Sequence, residues 1–170
     1  MAVTQQLARV PAEYLAACRQ SADESHDGAH HWDPSAADCL DLDWAPSMLE
    51  RACELTRLDA VHLEALKRAT DGDRGIDVDF LNAGPDPIAF FSNSTPTALC
   101  AEAVAEVSVL LGEIDIQAIL RSVLDSGKGS ELGYGFIGDP TEYLLGHFGA
   151  LREFYAEAAR RGLLVVEWLD

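Results

Sequence analysis

The stretch FGALREFYAEAARRGLLVVEWLD, residues 148–170, contains the end of a helix followed by a strand. Basic residues and then Gly162 follow the helical pattern, as is typical of a helix C-terminus. The segment LLVVEWL after Gly162 is apolar on both faces, and only Glu167 interrupts it, which predicts a well-covered strand. Helical spacing before Gly162 predicts a core-facing stripe at Leu144, Phe148, Leu151, Tyr155 and Ala158.

Local sequence signals also mark the start of this helix and a strand near the N-terminus. Asp139, Pro140 and Glu142 match an N-cap, a first helical residue and the third position of a capping box. The N-terminal segment VTQQLARV, residues 3–10, has β-branched ends and weak alternation, which predicts a second strand before a helix that begins at Pro11. A small sheet is therefore expected to contain both the N-terminal and the C-terminal strand.

The residues between these two ends are predicted to be mostly helical. Helix starts are expected near Pro46, Asp59, Ser94 and Asp115, and PIAFF, residues 87–91, is a third candidate strand. Residues 21–39 show no apolar period and predict a long loop. The chain of 170 residues contains no internal repeat or linker that divides it. We therefore expect a single α+β domain over residues 1–170, mostly helical, with a small sheet.

The charge of the chain limits the classes of partner. Twelve basic and 29 acidic residues give a formal net charge of −17. Such a surface repels nucleic-acid phosphates and anionic lipids, so neither nucleic acid nor a membrane is an expected partner. It would attract a basic protein partner, although the same charge also serves solubility alone.

Cysteine usage and hydropathy predict the compartment. The four cysteines are scattered without a close pair, which favours free thiols in a reducing environment over a disulfide or zinc framework. The N-terminus lacks the pattern of a secretion signal, and no apolar run is long enough to span a membrane. These features predict a cytoplasmic protein.

Three segments of the chain resemble the DUF1877 family of YfbM-like proteins. They are residues 148–170, the LDLD at residues 40–43, and STPTALCAEAVAEV at residues 94–107. The resemblance implies a small bacterial protein with an α+β fold and supplies no reaction. In the family, LDLD is followed by Lys, then by Trp two positions later and by a His further along. Here Trp44 follows Asp43 directly, so a family site that uses those residues does not carry over to these positions.

HDGAHHWD, residues 26–33, is the densest group of potential metal ligands. His26, His30, His31 and Asp33 could supply a zinc or nickel site. Gly28 and Pro34 disturb any helical arrangement of these ligands, and the segment lies in the longest unpatterned loop. The alternative is a solvated loop with Trp32 packed back onto the core.

LDLD places two carboxylates two positions apart. If the segment is extended, Asp41 and Asp43 lie on one side and, with Trp44, form a candidate binding site. The alternative is that Asp43 caps the following helix.

Two hypotheses about function follow. The first is a non-catalytic binding or immunity-type module that meets a basic protein partner, because no catalytic set is recognisable in the sequence. The second is a metal-dependent hydrolase that uses residues 26–33 together with Asp41 and Asp43. The first hypothesis requires no cofactor, and the sequence leaves the oligomeric state open.

Overall fold

Both ends of the chain pair within one antiparallel sheet. The computed structural model describes residues 3–89, 95–133 and 140–170, and over these residues the sheet has four strands in the order β2-β1-β4-β3. The strands are β1 (Gln5–Val10), β2 (Cys39–Asp41), β3 (Thr97–Leu99) and β4 (Leu164–Leu169). The two terminal strands pair along their full length, from Gln5 opposite Leu169 to Val10 opposite Leu164.

Helices cover both faces of this sheet. Within the described residues they are α1 (Ala12–Glu24), α2 (Ala45–Leu55), α3 (Ala60–Asp71), α4 (Phe80–Ala83), α5 (Ala101–Glu113), α6 (Ile116–Asp125) and α7 (Pro140–Arg161). The expected α+β fold, mostly helical and with both terminal strands in one small sheet, is confirmed.

The side chains of β4 point alternately to the two faces of the sheet, and the core has one layer on each face. Val165 faces a large cluster formed with α2, α3, α5, α6 and α7, whereas Leu164 and Val166 face a smaller cluster that includes Leu15 of α1 and Leu81 of α4. Successive side chains of a strand point to opposite faces. This central strand is therefore covered on both sides, as its apolar sequence predicts.

The predicted stripe on α7 is confirmed, since Leu144, Phe148, Leu151, Tyr155 and Ala158 are all buried. Gly162 follows the helix with a φ of 65°, as expected for a C-terminal glycine. The side chain of Asp115 caps α6 by accepting a hydrogen bond from the Ala118 amide. Asp139, the predicted cap of α7, lies outside the described residues.

Three local predictions were wrong. The helix expected from Ser94 begins only at Ala101, because residues 97–99 pair with β4 as strand β3. The predicted loop at residues 21–39 is wrong at its two ends, which belong to α1 and to β2, but residues 25–35 contain no helix or strand. Residues 87–89 of the third candidate strand are not in a strand, and residues 90–91 lie outside the described residues.

Candidate functional site

The corner between β2 and α2 is fixed by backbone and side-chain hydrogen bonds. The Leu42 amide donates to the Gln5 carbonyl over 2.9 Å, and the Gln5 amide donates to the Asp43 carbonyl over 3.1 Å. Asp43 has a φ of 51°, and its amide donates to Oδ1 of Asp41 over 2.7 Å. The short polar side chain of aspartate tolerates this left-handed conformation. The corner therefore turns the chain sharply from the sheet into the helix.

The alternative role of Asp43 as a helix cap was wrong. Trp44 occupies the N-cap position of α2, without a side-chain capping bond. The Asp43 carboxylate instead accepts a hydrogen bond over 3.1 Å from the hydroxyl of Tyr143 on α7. The Asp43 side chain, which the local sequence predicted to cap α2, therefore contacts α7 instead.

The indole of Trp44 is exposed but held in place. Its Nε1 donates to the Val3 carbonyl over 2.9 Å, and its backbone amide donates to the Tyr143 hydroxyl over 3.2 Å. The Tyr143 ring packs on His147, with 4.4 Å between ring centroids. Although these bonds fix it, 54% of Trp44 remains accessible to solvent. A large aromatic face is thus presented to solvent with little freedom to move.

Trp44 borders a cleft of about 290 Å³, which we call the Trp44 cleft. Of the three predicted binding residues, Asp43 and Trp44 line this cleft, whereas Asp41 lies outside its lining and accepts a hydrogen bond from the Asp43 amide. The residues that line it within the described part of the chain are Val3, Gln5, Asp43, Trp44, Pro46, Ser47, Glu50, Asp71 and Leu169.

Two carboxyl groups in the Trp44 cleft have raised pKa values. Burial raises the pKa of Glu50, and the nearby charge of Asp71 raises it further. Burial also raises the pKa of Asp71, and the ammonium group of Lys67 opposes the shift at both acids. Two partly desolvated acids that repel each other favour the entry of a cation.

Sequence reasoning missed Glu50 and Asp71. Glu50 comes four positions after Pro46 on α2, and Asp71 is the last residue of α3, so their spacing does not group them with Asp43 and Trp44. They reach one cleft because α2 packs against α3. No signal in the sequence indicates this packing.

The histidine-rich segment has a different arrangement. His30 is buried, with 4% of its surface exposed. Its Nδ1 accepts a hydrogen bond from the Trp32 amide over 3.1 Å, so the proton lies on Nε2, which donates to the Asp86 carbonyl over 2.9 Å. Both ring nitrogens are therefore engaged within the protein.

The other predicted ligands lie at the surface. His26, His31 and Asp33 are exposed. The ring of Trp32 packs against Tyr14 and Trp168 at centroid distances of 5.7 and 6.1 Å, which confirms that it folds back onto the core. Across residues 3–89, 95–133 and 140–170, no three His, Cys, Asp or Glu side chains are grouped so that they could hold a metal ion.

The comparisons with known proteins concern the fold. No protein-family model matches the sequence, and no curated protein matches it. No helix in the described part of the chain has the length and apolar character needed to cross a membrane. Among solved structures, the chain is similar to YfbM from Escherichia coli, a protein of unknown function. The match covers 96% of this chain and 98% of that chain, with 14% sequence identity and a TM-score of 0.50. The chain therefore has a YfbM-like fold.

Proposed function

We propose that this protein is a non-catalytic binding module for a basic protein partner, and that the Trp44 cleft receives a cationic side chain of that partner. One observation carries the proposal. An exposed indole and three acids, Asp43, Glu50 and Asp71, line one cleft, and no basic residue belongs to the lining that the structure describes.

The two acids with raised pKa values supply the charge for binding. An entering guanidinium or ammonium group offsets the repulsion between Glu50 and Asp71. It also donates charge-assisted hydrogen bonds to their carboxylates, which are stronger than neutral ones. A guanidinium suits the site better than an ammonium group, because it donates through two parallel N–H groups and stacks on aromatic rings.

Trp44 supplies an aromatic face for the same cation. A cation over an indole gains about 0.5 to 2 kcal/mol, depending on how far it is desolvated. Because hydrogen bonds to Val3 and Tyr143 already fix the Trp44 residue, binding orders it little further. A preorganised site loses less entropy on binding.

The overall charge supports the same kind of partner. A formal net charge of −17 attracts a basic protein over distances of about a Debye length and speeds the encounter. This is the arrangement expected of an immunity-type module that neutralises a cationic protein. All four cysteines are free, which supports a reducing compartment such as the cytoplasm for this activity.

The test is isothermal titration calorimetry with an oligoarginine peptide. The double variant Glu50→Gln/Asp71→Asn keeps the shapes of both acids and removes their charges, and we expect it to bind about tenfold more weakly than the wild type. Trp44→Leu keeps apolar bulk without the aromatic face, so we expect a loss of about three- to thirtyfold.

The matched control is Glu64→Gln/Glu153→Gln. It removes two exposed charges outside the Trp44 cleft and leaves the net charge equal to that of the cleft variant. We expect it to weaken binding much less than the cleft variant does. Equal losses in the two double variants, or no binding by the wild type at low salt, would overturn the proposed site.

The metal-dependent hydrolase stays a prediction, and no observation on the described residues favours it. His30 would have to give up a hydrogen bond to bind a metal ion. Its test is elemental analysis of protein purified without a histidine tag. A stoichiometric transition metal that is lost in His26→Ala/His31→Ala would support the hydrolase hypothesis, and metal-free native protein would count against it.

A further inference from the structure

We propose that Glu167 is held as a neutral carboxylic acid and acts as a pH-sensitive lock that joins β4 to α7 and to the end of α3. Only 1% of Glu167 is exposed, although it lies in the middle of a strand between β1 and β3. Its Oε2 is buried and has no hydrogen-bond partner among the described residues. An ionised carboxylate in such a position carries a large desolvation cost.

The hydroxyl of Tyr155 shows how the neutral acid is accommodated. It lies 2.8 Å from Oε1 of Glu167 and 3.1 Å from the Ala69 carbonyl oxygen. Both of these groups are acceptors if Glu167 is ionised, and one hydroxyl proton cannot serve both. If Oε1 carries a proton, Glu167 donates to Tyr155 and Tyr155 donates to Ala69. Each proton then has one acceptor. Oε2 is an uncharged carbonyl oxygen and does not share the negative charge of a carboxylate.

The charges around Glu167 also favour the neutral form. Asp71 and Asp73, at and after the end of α3, both act to raise its pKa. The positive charge of Arg68 acts on Tyr155, and its guanidinium pairs with Asp73 and with Glu106 of α5. Within the described residues Glu167 takes part in no ion pair. On β1 its cross-strand neighbour is Leu7, and on β3 it is Thr97, neither of which titrates.

Burial also favours the protonated form of Glu167. Desolvation raises the pKa of Glu167 well above its ordinary value, and the hydrogen bond that Tyr155 would donate to the ionised carboxylate only partly opposes the shift. Buried carboxylic acids that stay protonated at neutral pH and donate a hydrogen bond are an established pattern in proteins.

The lock makes folding depend on pH. In the unfolded chain Glu167 ionises near pH 4.3, but in the folded protein it keeps its proton to a higher pH. The contribution of Glu167 to stability is therefore fully present below about pH 4.3 and is lost as the pH rises from there to the folded pKa. In this range the folded state binds one more proton than the unfolded state, so the unfolding equilibrium constant increases about tenfold for each unit rise in pH. The proposal is independent of the proposed function, because it does not require a ligand.

Infrared spectroscopy of the full chain tests the protonation state. We expect a C=O stretching band of a protonated carboxylic acid at neutral pH in the wild type and no such band in Glu167→Gln. Glu153→Gln, which changes an exposed acid on the same helix as Tyr155, should alter only carboxylate bands. A wild-type spectrum without a protonated acid at neutral pH overturns the proposal, whether or not the variant folds.

Urea unfolding at a series of pH values tests the consequence. The amide of Glu167→Gln mimics the protonated acid, so we expect this variant to lack the tenfold change per pH unit that Glu167 adds to the wild type. A variant with the same pH dependence as the wild type would overturn the lock.

Discussion

Gly72 lies where the chain leaves α3 and passes against β3 and β4. Its φ of 62° and ψ of −160° belong to a region that essentially only glycine occupies. A Cβ at this position would lie 2.8 Å from Cβ of Thr97 and 2.9 Å from Oε2 of Glu167. The absence of a side chain at this residue therefore allows α3 to end directly against the buried acid.

We expect Gly72→Ala to lower the free energy of unfolding by about 3 kcal/mol, because backbone strain and steric overlap add. The control is Gly162→Ala, where φ is also positive but, apart from the adjacent residues, no heavy atom in the described part of the chain lies within 4 Å of the added Cβ. Strain alone should cost about 1 kcal/mol there. Denaturant unfolding of both variants measures the difference, and equal losses would contradict the close packing at Gly72.

At the scale of elements, a histidine joins the start of α3 to the end of α5. Asp59 caps α3 by accepting hydrogen bonds from the Val61 and His62 amides. The His62 ring lies between two carboxylates, with Nδ1 2.7 Å from Asp59 and Nε2 2.9 Å from Glu113. These two hydrogen bonds raise the pKa of His62, and the bond to Glu113 contributes most.

We expect Glu113→Gln to lower the pKa of His62, as measured by the NMR titration of its ring protons. Glu106→Gln removes a charge from the same helix but from a residue paired with Arg68, so it should shift that pKa much less. The raised pKa also implies that His62 adds stability below about pH 6.5, which is lost as the pH rises through its folded pKa. Equal shifts in the two variants would show that general charge, rather than the contact with Glu113, sets the pKa.

At the scale of the whole molecule, acidic charge exceeds basic charge by 17. Some acids are paired, such as Asp38, whose carboxylate lies 2.9 Å from Arg9 and 2.5 Å from Arg161. With only 12 basic residues, most acids cannot have such a partner. Their mutual repulsion opposes the compact state.

We expect the free energy of unfolding to increase when the NaCl concentration rises from about 0.01 M to about 0.15 M, because the Debye length falls from about 30 Å to about 8 Å. Thermal or urea unfolding in the two buffers measures this change. A decrease would mean that attractive ion pairs outweigh the repulsion among acids.

The long elements and their faces could be predicted from the sequence. The stripe on α7, the Asp115 cap of α6 and the two terminal strands depend on periodicity and on local capping chemistry, which a single segment contains. The three-residue strands β2 and β3 were missed. Such short strands exist because a partner strand supplies their hydrogen bonds, and that partner is distant in sequence.

Only the tertiary structure placed the candidate site. Asp43 and Trp44 were predicted from their sequence, but Glu50 and Asp71 join them only because α2 and α3 pack together. Likewise, Glu167 was recognisable as the one charge in an apolar strand, but its protonation depends on Tyr155 and on burial from both sides. Periodicity is a local property of the chain, whereas desolvation and charge coupling depend on which distant residues the fold brings together.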